Sequence, residues 1–265
     1  MSNFLSEVQL NKLVPSVFAT GGSEHVSSKY GFIPTIEVVR GLRNSGFHPV
    51  MAGQSRTNIV GRESFVKHVM RFRHESNVEN VKKDGAISEI VLVNSHDGTT
   101  SYQLRAGVYR LVCSNGLIVG DDMFCRRVKH QGNVVERVVE AANDLIEIVP
   151  ISVERAKEWE GMNLNHDQKF IFAEAALSLK WEADENGDYP IRHDQALAAR
   201  RSADSKDDLW TTFNILQENI IRGGIRYRTD EGSRMRTRPV NSVGENVRLN
   251  TALWTLTEKM AQLIK

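Results

Sequence analysis

Apolar and polar residues alternate along much of the N-terminal half of the chain, which is the period expected of β-strands. The segment from Ser64 to His74 places Met70 and Phe72 on one face and Arg71 and Arg73 on the other. This alternation predicts a strand with one apolar face and one basic face.

Two further runs rich in β-forming residues follow, from Ile87 to Val93 and from Ser101 to Cys113. The segment NSHDGTT between them carries an Asp97-Gly98 turn signal, and the Ser114 to Gly116 segment supplies a second turn. Gly107 inside its strand indicates a bulge or a close approach of backbone. These features predict an antiparallel β-meander in the middle of the chain.

The apolar spacing changes to steps of three and four beyond the meander, which predicts helices. One helix begins at Val134 and is expected to stop at Pro150, and Ser152 caps another. The segment from Asp167 to Trp181 is apolar on more than one face, so it is predicted to be the most buried helix. Nearer the N-terminus, a short helix is predicted from Thr35 to Asn44, with Thr35 as its cap.

The order of these elements predicts an α+β fold, in which an antiparallel β-meander in the N-terminal half packs with a helical C-terminal half. No low-complexity linker or repeat interrupts the sequence. Residues 1–265 are therefore predicted to form a single α+β domain. The alternative is a division into a strand-rich region, residues 1–132, and a helix-rich region, residues 133–265.

The segment IIRGGIRYRTDEGSRMRTR, residues 220–238, contains six arginines and two acidic residues. It lies between two helical stripes, and Gly223-Gly224 is predicted to end the first helix. Five of the arginines recur at a period of two, which predicts a basic β-hairpin. These five are Arg226, Arg228, Arg234, Arg236 and Arg238.

The length of the hairpin loop decides where these arginines lie. A three-residue loop Asp230-Glu231-Gly232, with Gly232 in the left-handed conformation, pairs residue 228 with 234 and 226 with 236. All five arginines then share one face. A four-residue loop shifts the register by one residue and divides them between two faces.

The net charge of the chain limits how it could attract a polyanion. The formal charge is +1, so global attraction to nucleic acid or membrane is not expected and a binding site must be a local cluster. Arginine forks suit phosphate oxygens, which favours a nucleic-acid backbone as the partner. The alternative is a solvated hairpin, or one whose arginines pair with nearby acids. The candidate acids are Glu182, Asp184, Asp207 and Asp208.

Other basic residues extend the predicted nucleic-acid site. Arg71 and Arg73 are the second contributors, on the strand face that also carries Lys67. Smaller groups that could line the same groove are Arg40 with Arg43, Arg56 with Arg62, and the cluster Arg126, Arg127, Lys129 and His130. Tyr102, Tyr109 and Tyr227 are candidate stacking surfaces for unpaired bases, although a single tyrosine is more typical of a core.

Catalytic and metal-binding interpretations are weaker. His96-Asp97 could be an acid/base pair or metal ligands, but the same residue types build tight turns. Cys113, Cys125 and His130 lack the close cysteine pair of structural zinc sites, and Cys113 has no assignable base as a nucleophile. No phosphate-binding loop with its lysine is present. We therefore expect no catalytic residue, no metal and no cofactor, and we favour a protein without enzyme activity.

The N-terminal sequence has no basic lead followed by a long apolar run, and no eighteen apolar residues follow one another. A cytoplasmic protein without a membrane span is expected. Two cysteines are too few for a disulfide framework, so free thiols are expected as well.

Three blocks of the sequence carry a resemblance that covers almost the whole chain. They are KYGFIPTIEVVRGLRNSGFHPV, then IVLVNSHDGTTSYQLRAGVYRLVCSNGLIVG, then the pair LWTTFNILQENIIRGGIRYR and RMRTRPVNSVGENVRLNTALWTL. The chain resembles the phage/plasmid-like protein family known as domain of unknown function 932. The family name carries no activity, but the resemblance implies a mobile genetic element such as a plasmid, phage or prophage.

The resemblance makes DNA the favoured polyanion. We expect a nucleic-acid-binding protein that favours single-stranded DNA, with a role in strand annealing or DNA maintenance. A β-meander followed by a helix is also similar in outline to phage proteins that anneal strands as oligomeric rings, which makes a homo-oligomer an open alternative. The other function classes are a protein-interaction module that binds a host protein as an anti-defence factor, and a DNA-processing enzyme.

Overall fold

The structure is a computed structural model that describes residues 4–28, 30–77, 86–110, 115–229 and 232–265. The described chain forms two compact units. Unit 1 comprises residues 1–153 and 241–244, and unit 2 comprises residues 154–240 and 245–265. This division differs from the alternative boundary at 132/133, because one long helix contributes residues to both units.

Unit 1 is built on a six-stranded antiparallel sheet with the order β1-β2-β3-β4-β5, in which β6 also pairs with β4. The strands are β1 Phe47–Gln54, β2 His68–His74, β3 Ala86–Asn94, β4 Tyr102–Arg110, β5 Asn115–Ile118 and β6 Cys125–Val128. The expected α+β class and the antiparallel meander are therefore confirmed.

The helices lie mostly in the C-terminal half. They are α1 Glu7–Leu13, α2 Thr35–Asn44, α3 Val134–Glu160, α4 His166–Ser178, α5 His193–Ala196, α6 Leu209–Arg222 and α7 Val243–Leu263. Short 3-10 turns cover Pro15–Phe18, Glu75–Asn77, Asp122–Phe124 and Ser202–Asp204. None of the helices in the described part of the chain combines the length and the apolar character needed to cross a membrane.

The predicted stop at Pro150 is wrong. Helix α3 runs unbroken through this proline, and the hydroxyl of Ser152, the expected cap of a second helix, donates instead to the Val149 carbonyl at 2.6 Å. Val149 and Ala156 are buried on either side of the proline. The apolar stripe therefore continues across it, and packing outweighs the local helix-breaking tendency.

Two other expectations are corrected by tertiary contacts. Helix α2 has the predicted bounds, but Pro34 is its N-cap and Thr35 turns its hydroxyl into the core of unit 1. The most buried helix is α6, in which every residue from Leu209 to Ile220 is buried, whereas α4 buries four residues on one side.

Unit 2 has an aromatic core. Trp159 packs against Trp254 with ring centroids 4.8 Å apart, and against Trp210 and Phe213 at 6.2 and 6.1 Å. All four side chains are at least 97% buried, so they anchor α3, α6 and α7 within this unit. A two-stranded hairpin, β7 Arg226–Arg228 and β8 Arg234–Arg236, lies between α6 and α7 along the chain.

Candidate nucleic-acid interface

The basic hairpin begins where α6 ends. Gly223 closes the helix with φ +63° and ψ −148°, and its N–H donates to the Asn219 carbonyl at 3.1 Å. The base of the hairpin is then fixed by backbone bonds from Gly224 N to Thr237 O at 2.8 Å and from Thr237 N to Ile225 O at 2.9 Å. The arginines are therefore held by a defined ribbon that is tied to a buried helix.

The hairpin adopts the register expected for a three-residue loop. Arg226 pairs with Arg236 and Arg228 pairs with Arg234. Gly232 has φ +80°, and its N–H donates to the Thr229 carbonyl at 2.8 Å. Asp230 and Glu231 of this loop lie outside the described residues. Since directly opposite residues point to the same side of a ribbon, four arginines share one face, and Arg238 follows two residues after the strand.

All five hairpin arginines are exposed, and none of them has an ion-pair partner in the described residues. The acids considered as partners are engaged elsewhere or do not reach them. Asp207 pairs with Lys169, and Asp208 is buried and caps α6 by accepting from Thr211 N at 2.7 Å. Asp184 accepts from the backbone N–H groups of Asn186 and Asp188. The alternative in which the hairpin arginines pair with these acids is therefore not supported by the described contacts.

A groove of about 1080 Å³ runs beside the hairpin. Its lining from the hairpin is Arg226, Tyr227, Arg228, Arg234, Met235 and Arg236, and its other wall is Asp188, Tyr189, Pro190, Arg192 and Gln195. The Gln195 side chain donates to the Arg226 carbonyl at 2.8 Å, and Arg192 is paired with Asp194 at 2.6 Å. Tyr227 and Tyr189, both half-buried, add aromatic surface to a mainly cationic groove.

Arg71 and Arg73 do not belong to this site, which corrects their predicted role. Arg71 is 4% exposed, and its guanidinium donates to Glu89 Oε2 at 3.0 Å and to the Leu117 carbonyl. Arg73 donates to Glu89 Oε1 at 2.8 Å and lies 4.5 Å over the ring of Tyr109. Alternation correctly identified a basic strand face, but this face is covered and its charge is balanced by a buried carboxylate.

Two of the candidate stacking residues are also placed elsewhere. Tyr102 is fully buried and its hydroxyl donates to the Ile33 carbonyl at 3.1 Å. Tyr109 is occupied by Arg73. Tyr227 alone of the three lines the groove. Gly107 allows a close approach, as expected, because a Cβ there would lie 2.9 Å from Val91 and 3.1 Å from Arg71.

His96 belongs to a buried network of histidines that sequence reasoning missed. The hydroxyl of Thr35 lies 3.1 Å from His68 Nε2 and 3.0 Å from His96 Nε2, and Asn94 donates to it at 3.1 Å. The side-chain oxygen of Asn94, Oδ1, in turn lies 2.9 Å from His130 Nε2. These contacts join residues up to 61 positions apart, so no local pattern indicated them.

Burial sets the charge state of this network. It lowers the pKa of His68 to about 3 and that of His96 to about 4, and neighbouring histidines add to both shifts. The pKa of His130 is also lowered by burial. At neutral pH the three rings are therefore uncharged and serve as hydrogen-bond partners.

Asp97 has the environment of a turn residue. Its Oδ1 accepts from Ser95 Oγ at 2.6 Å, from Thr99 N at 3.0 Å and from Thr99 Oγ1 at 2.7 Å. Burial acts to raise its pKa, but these hydrogen bonds lower it below the usual value. The carboxylate therefore stays ionised and stabilises the β3–β4 turn.

The described structure does not support a zinc site formed by Cys113, Cys125 and His130. Cys113 lies outside the described residues, Cys125 is a half-exposed free thiol, and His130 Nε2 is bonded within the histidine network. Across the part of the chain that the structure describes, no three His, Cys, Asp or Glu side chains are grouped to hold a metal ion.

Gly223→Ala is expected to disrupt the base of the hairpin. A Cβ at this position would lie 2.7 Å from the Arg238 carbonyl group and 2.7 Å from Thr237 O, at a φ that only glycine adopts readily. We expect a loss of about 1–3 kcal/mol in the free energy of unfolding of unit 2. Urea unfolding followed by tryptophan fluorescence measures it, since all four tryptophans belong to unit 2.

Gly224→Ala is the matched control for this prediction. Gly224 also has a positive φ, +81°, but a Cβ there meets no heavy atom within 4 Å. The control should therefore show backbone strain without the clash, and a smaller loss. Equal losses in the two variants would contradict the close packing of Gly223 against the returning strand.

Comparison with known proteins places the chain in a family. The family model described as a domain of unknown function (DUF932) matches residues 23–254. The chain is 37% identical over 256 residues to UPF0380 protein YafZ of Escherichia coli (strain K12), which covers 97% of this chain and 91% of that protein. UPF0380 protein YfjQ of the same organism matches with the same identity and coverage. No solved structure matches. With nearly its whole length covered by both comparisons, the chain belongs to the DUF932 family.

Proposed function

We propose that this protein binds nucleic acid, favouring single-stranded DNA, through the groove beside the basic hairpin. One observation carries the proposal: five exposed arginines on one hairpin have no carboxylate partner in the described residues. The proposed contacts are made by Arg226, Arg228, Arg234, Arg236 and Arg238.

The pairing of the arginines supports an anionic ligand. Like charges directly opposite each other on a ribbon are destabilising, and the hairpin has two such pairs, Arg226 with Arg236 and Arg228 with Arg234. An anion lying across the face would remove this repulsion. A guanidinium fork donates two parallel hydrogen bonds to phosphate, so a phosphodiester backbone suits a row of arginines.

The groove favours an unpaired strand. Tyr227 and Tyr189 offer aromatic surface next to the cations, and base–aromatic stacking together with backbone charge is how many proteins bind single strands. The hairpin is a two-stranded ribbon, and the major groove of a DNA duplex is wide enough to admit such a ribbon. Comparing the two forms of DNA is therefore needed in the test.

The proposal includes the cellular setting. We place the activity in the cytoplasm, in the maintenance or annealing of DNA from a mobile genetic element, as the resemblance to phage and plasmid proteins suggests. A non-catalytic role is proposed, since the described lining of the groove combines arginines and tyrosines with a single acidic residue, Asp188.

The test is binding to labelled single-stranded and double-stranded oligonucleotides over a series of salt concentrations. Replacing Arg234, Arg236 and Arg238 with alanine should weaken binding and reduce the slope of log K against log salt by about two units, at about 0.7 per lost single-strand contact. The wild-type protein should bind the single strand more tightly than the duplex.

Two control variants separate charge placement from folding and from total charge. Lys157→Ala, Lys206→Ala and Lys259→Ala together remove three positive charges elsewhere in unit 2 and should leave the slope unchanged. A triple Arg→Lys variant at 234, 236 and 238 keeps the charge and should retain most of the slope. A folded wild-type protein that binds neither form of DNA at low salt would refute the proposal and direct the search to a protein partner.

A further inference from the structure

A second basic site lies in unit 1, in a cleft of about 550 Å³ at one end of the sheet. Gln54 ends β1 and pairs with His68 at the start of β2, which pairs with Asn94 at the end of β3. The segments that leave these three strands on the same side therefore form the cleft. Its volume is in the range of pockets that hold small molecules.

Backbone hydrogen bonds fix the walls of the cleft. Ser55 N donates to the Lys67 carbonyl at 2.8 Å, and His96 N donates to the Phe65 carbonyl at 3.1 Å. Ser23 N donates to the His96 carbonyl at 2.9 Å, which brings a segment near the N-terminus to the same place. His96 also belongs to the histidine network described above, so the cleft is joined to the buried core of unit 1.

The cleft carries an excess of positive charge. Arg56, Arg62 and Lys67 line it, and none of them makes an ion pair or a side-chain hydrogen bond with any described residue. The acidic side chain in the lining is Asp97, whose Oδ1 is already occupied by Ser95 and Thr99. Three cations against one engaged carboxylate favour an anionic ligand.

The rest of the lining indicates what is attached to the anion. Phe65, Ile59 and Val66 add apolar surface, and Ile59 is 55% exposed although it is a large aliphatic residue. Serine and threonine hydroxyls in the same lining can hydrogen-bond a sugar or a phosphate oxygen. A nucleotide matches the three kinds of lining, because its phosphate can bind the cations, its sugar can hydrogen-bond the hydroxyls and its base can pack on the apolar side chains.

We propose that this cleft binds the terminal phosphate of a nucleotide, with Arg56, Arg62 and Lys67 on the phosphate and Phe65 and Ile59 against the nucleoside. The same chemistry is offered by a free mononucleotide and by the 5′-phosphorylated end of a DNA strand. The inference goes beyond the proposed function and does not depend on it, since the cleft belongs to unit 1 and the hairpin to unit 2.

Calorimetric titration with deoxyadenosine 5′-monophosphate, deoxyadenosine and inorganic phosphate tests the proposal. The monophosphate should bind, and removal of its phosphate should weaken binding about tenfold or more. The double variant Arg56→Ala, Arg62→Ala should weaken monophosphate binding to a similar extent. These two side chains make no hydrogen bond in the described structure, so the variant should fold normally.

The matched control is the double variant Arg127→Ala, Lys129→Ala, which removes two charges elsewhere in unit 1 and should bind like the wild type. A second experiment distinguishes a free mononucleotide from the 5′-phosphorylated end of a strand. It measures binding of oligonucleotides with a 5′-phosphate or a 5′-hydroxyl to the hairpin variant Arg234→Ala, Arg236→Ala, Arg238→Ala. A preference for the 5′-phosphate assigns the cleft to strand ends, and monophosphate binding without that preference assigns it to free nucleotides.

Three results would overturn the inference. They are equal binding of the nucleotide and the nucleoside, unchanged nucleotide binding in the Arg56→Ala, Arg62→Ala variant, and no phosphate-dependent binding of either mononucleotide or strand end. Failure of DNA binding at the hairpin would leave monophosphate binding intact, because different residues carry it. The two proposals can therefore fail separately.

Discussion

Replacing Glu89 with alanine is expected to lower the free energy of unfolding of unit 1 by about 3–5 kcal/mol. Glu89 is 1% exposed and its two carboxylate oxygens accept from Arg71 and Arg73. Without this carboxylate, two guanidinium groups remain on a covered face with no opposite charge. An uncompensated buried charge is among the most destabilising changes a protein can undergo.

The measurement must report on unit 1 itself. Tryptophan fluorescence reports only on unit 2, because Trp159, Trp181, Trp210 and Trp254 all belong to it. Amide hydrogen exchange resolved for peptides from β2, β3 and β4 in increasing urea gives the stability of the sheet directly. Protection of these peptides should collapse at lower urea in the Glu89→Ala variant than in the wild type.

Two controls test whether the loss comes from unpaired charge. Glu140→Ala removes an exposed carboxylate from the segment of α3 in unit 1 and should change stability by less than about 0.5 kcal/mol. The double variant Arg71→Met, Glu89→Leu removes one charge of each sign and should be less destabilised than the sum of its single variants. Strict additivity would show that the two side chains are not energetically coupled.

Lowering the pH from 7.5 to 5 is expected to destabilise unit 1 by roughly 4 kcal/mol through His68 and His96. Their pKa values are lowered from 6.5 to about 3 and about 4 in the folded protein, mainly by burial. Below pH 6.5 the unfolded chain therefore binds protons that the folded chain excludes. Stability is fully present above pH 6.5 and falls by about 1.4 kcal/mol per pH unit for each histidine as pH decreases.

The hydrogen bonds of the network explain why the folded state resists protonation. The Thr35 hydroxyl can donate one hydrogen bond and accept two, and Asn94 already donates to it. With neutral rings, one histidine donates to the hydroxyl and the other accepts from it. If both histidines were charged, each Nε2 would carry a proton, and three donors would point at the two lone pairs of the hydroxyl. Charging both rings therefore breaks at least one of these hydrogen bonds.

The same peptide-resolved hydrogen exchange at pH 7.5, 6.5, 5.8 and 5 measures this effect, after correction for the intrinsic exchange rate. His96→Gln should be less stable at neutral pH but should lose about half of the pH dependence. His166→Gln changes a side chain that is 90% exposed and should leave the dependence intact. A stability that stays flat between pH 7.5 and 5 would mean that the histidines are not held neutral by the fold.

The candidate site divides clearly into what was predictable and what was not. The arginine hairpin was predicted with two possible registers, and the structure adopts the one that belongs to a three-residue loop with Gly232 at positive φ. Loop length and glycine placement act over a few residues, so a short segment specifies them. The burial of Arg71 depended on Glu89, eighteen residues away, which alternation within one strand cannot report.

Strand β1 shows a similar limit. It contains Pro49 and was not predicted, yet it forms the edge of the sheet with a register irregularity between Pro49 and Met51. An edge strand tolerates a residue without an N–H because its outer side needs no hydrogen bond. Edge position is a property of the assembled sheet and cannot be read from the strand.

The sequence by itself determined the α+β class, the antiparallel meander, the bounds of helix α2 and the period-two arginine pattern of the basic hairpin, whereas it left two registers of that hairpin open. These features depend on hydrophobic period, turn residues and loop length, all of which act between near neighbours. Only the tertiary structure decided that Arg71 is buried and that Arg71 and Arg73 pair with Glu89, that α3 continues through Pro150, and that Thr35 joins His68 and His96. Each of these depends on packing or charge between residues distant along the chain, where the free energy of burial outweighs local preference.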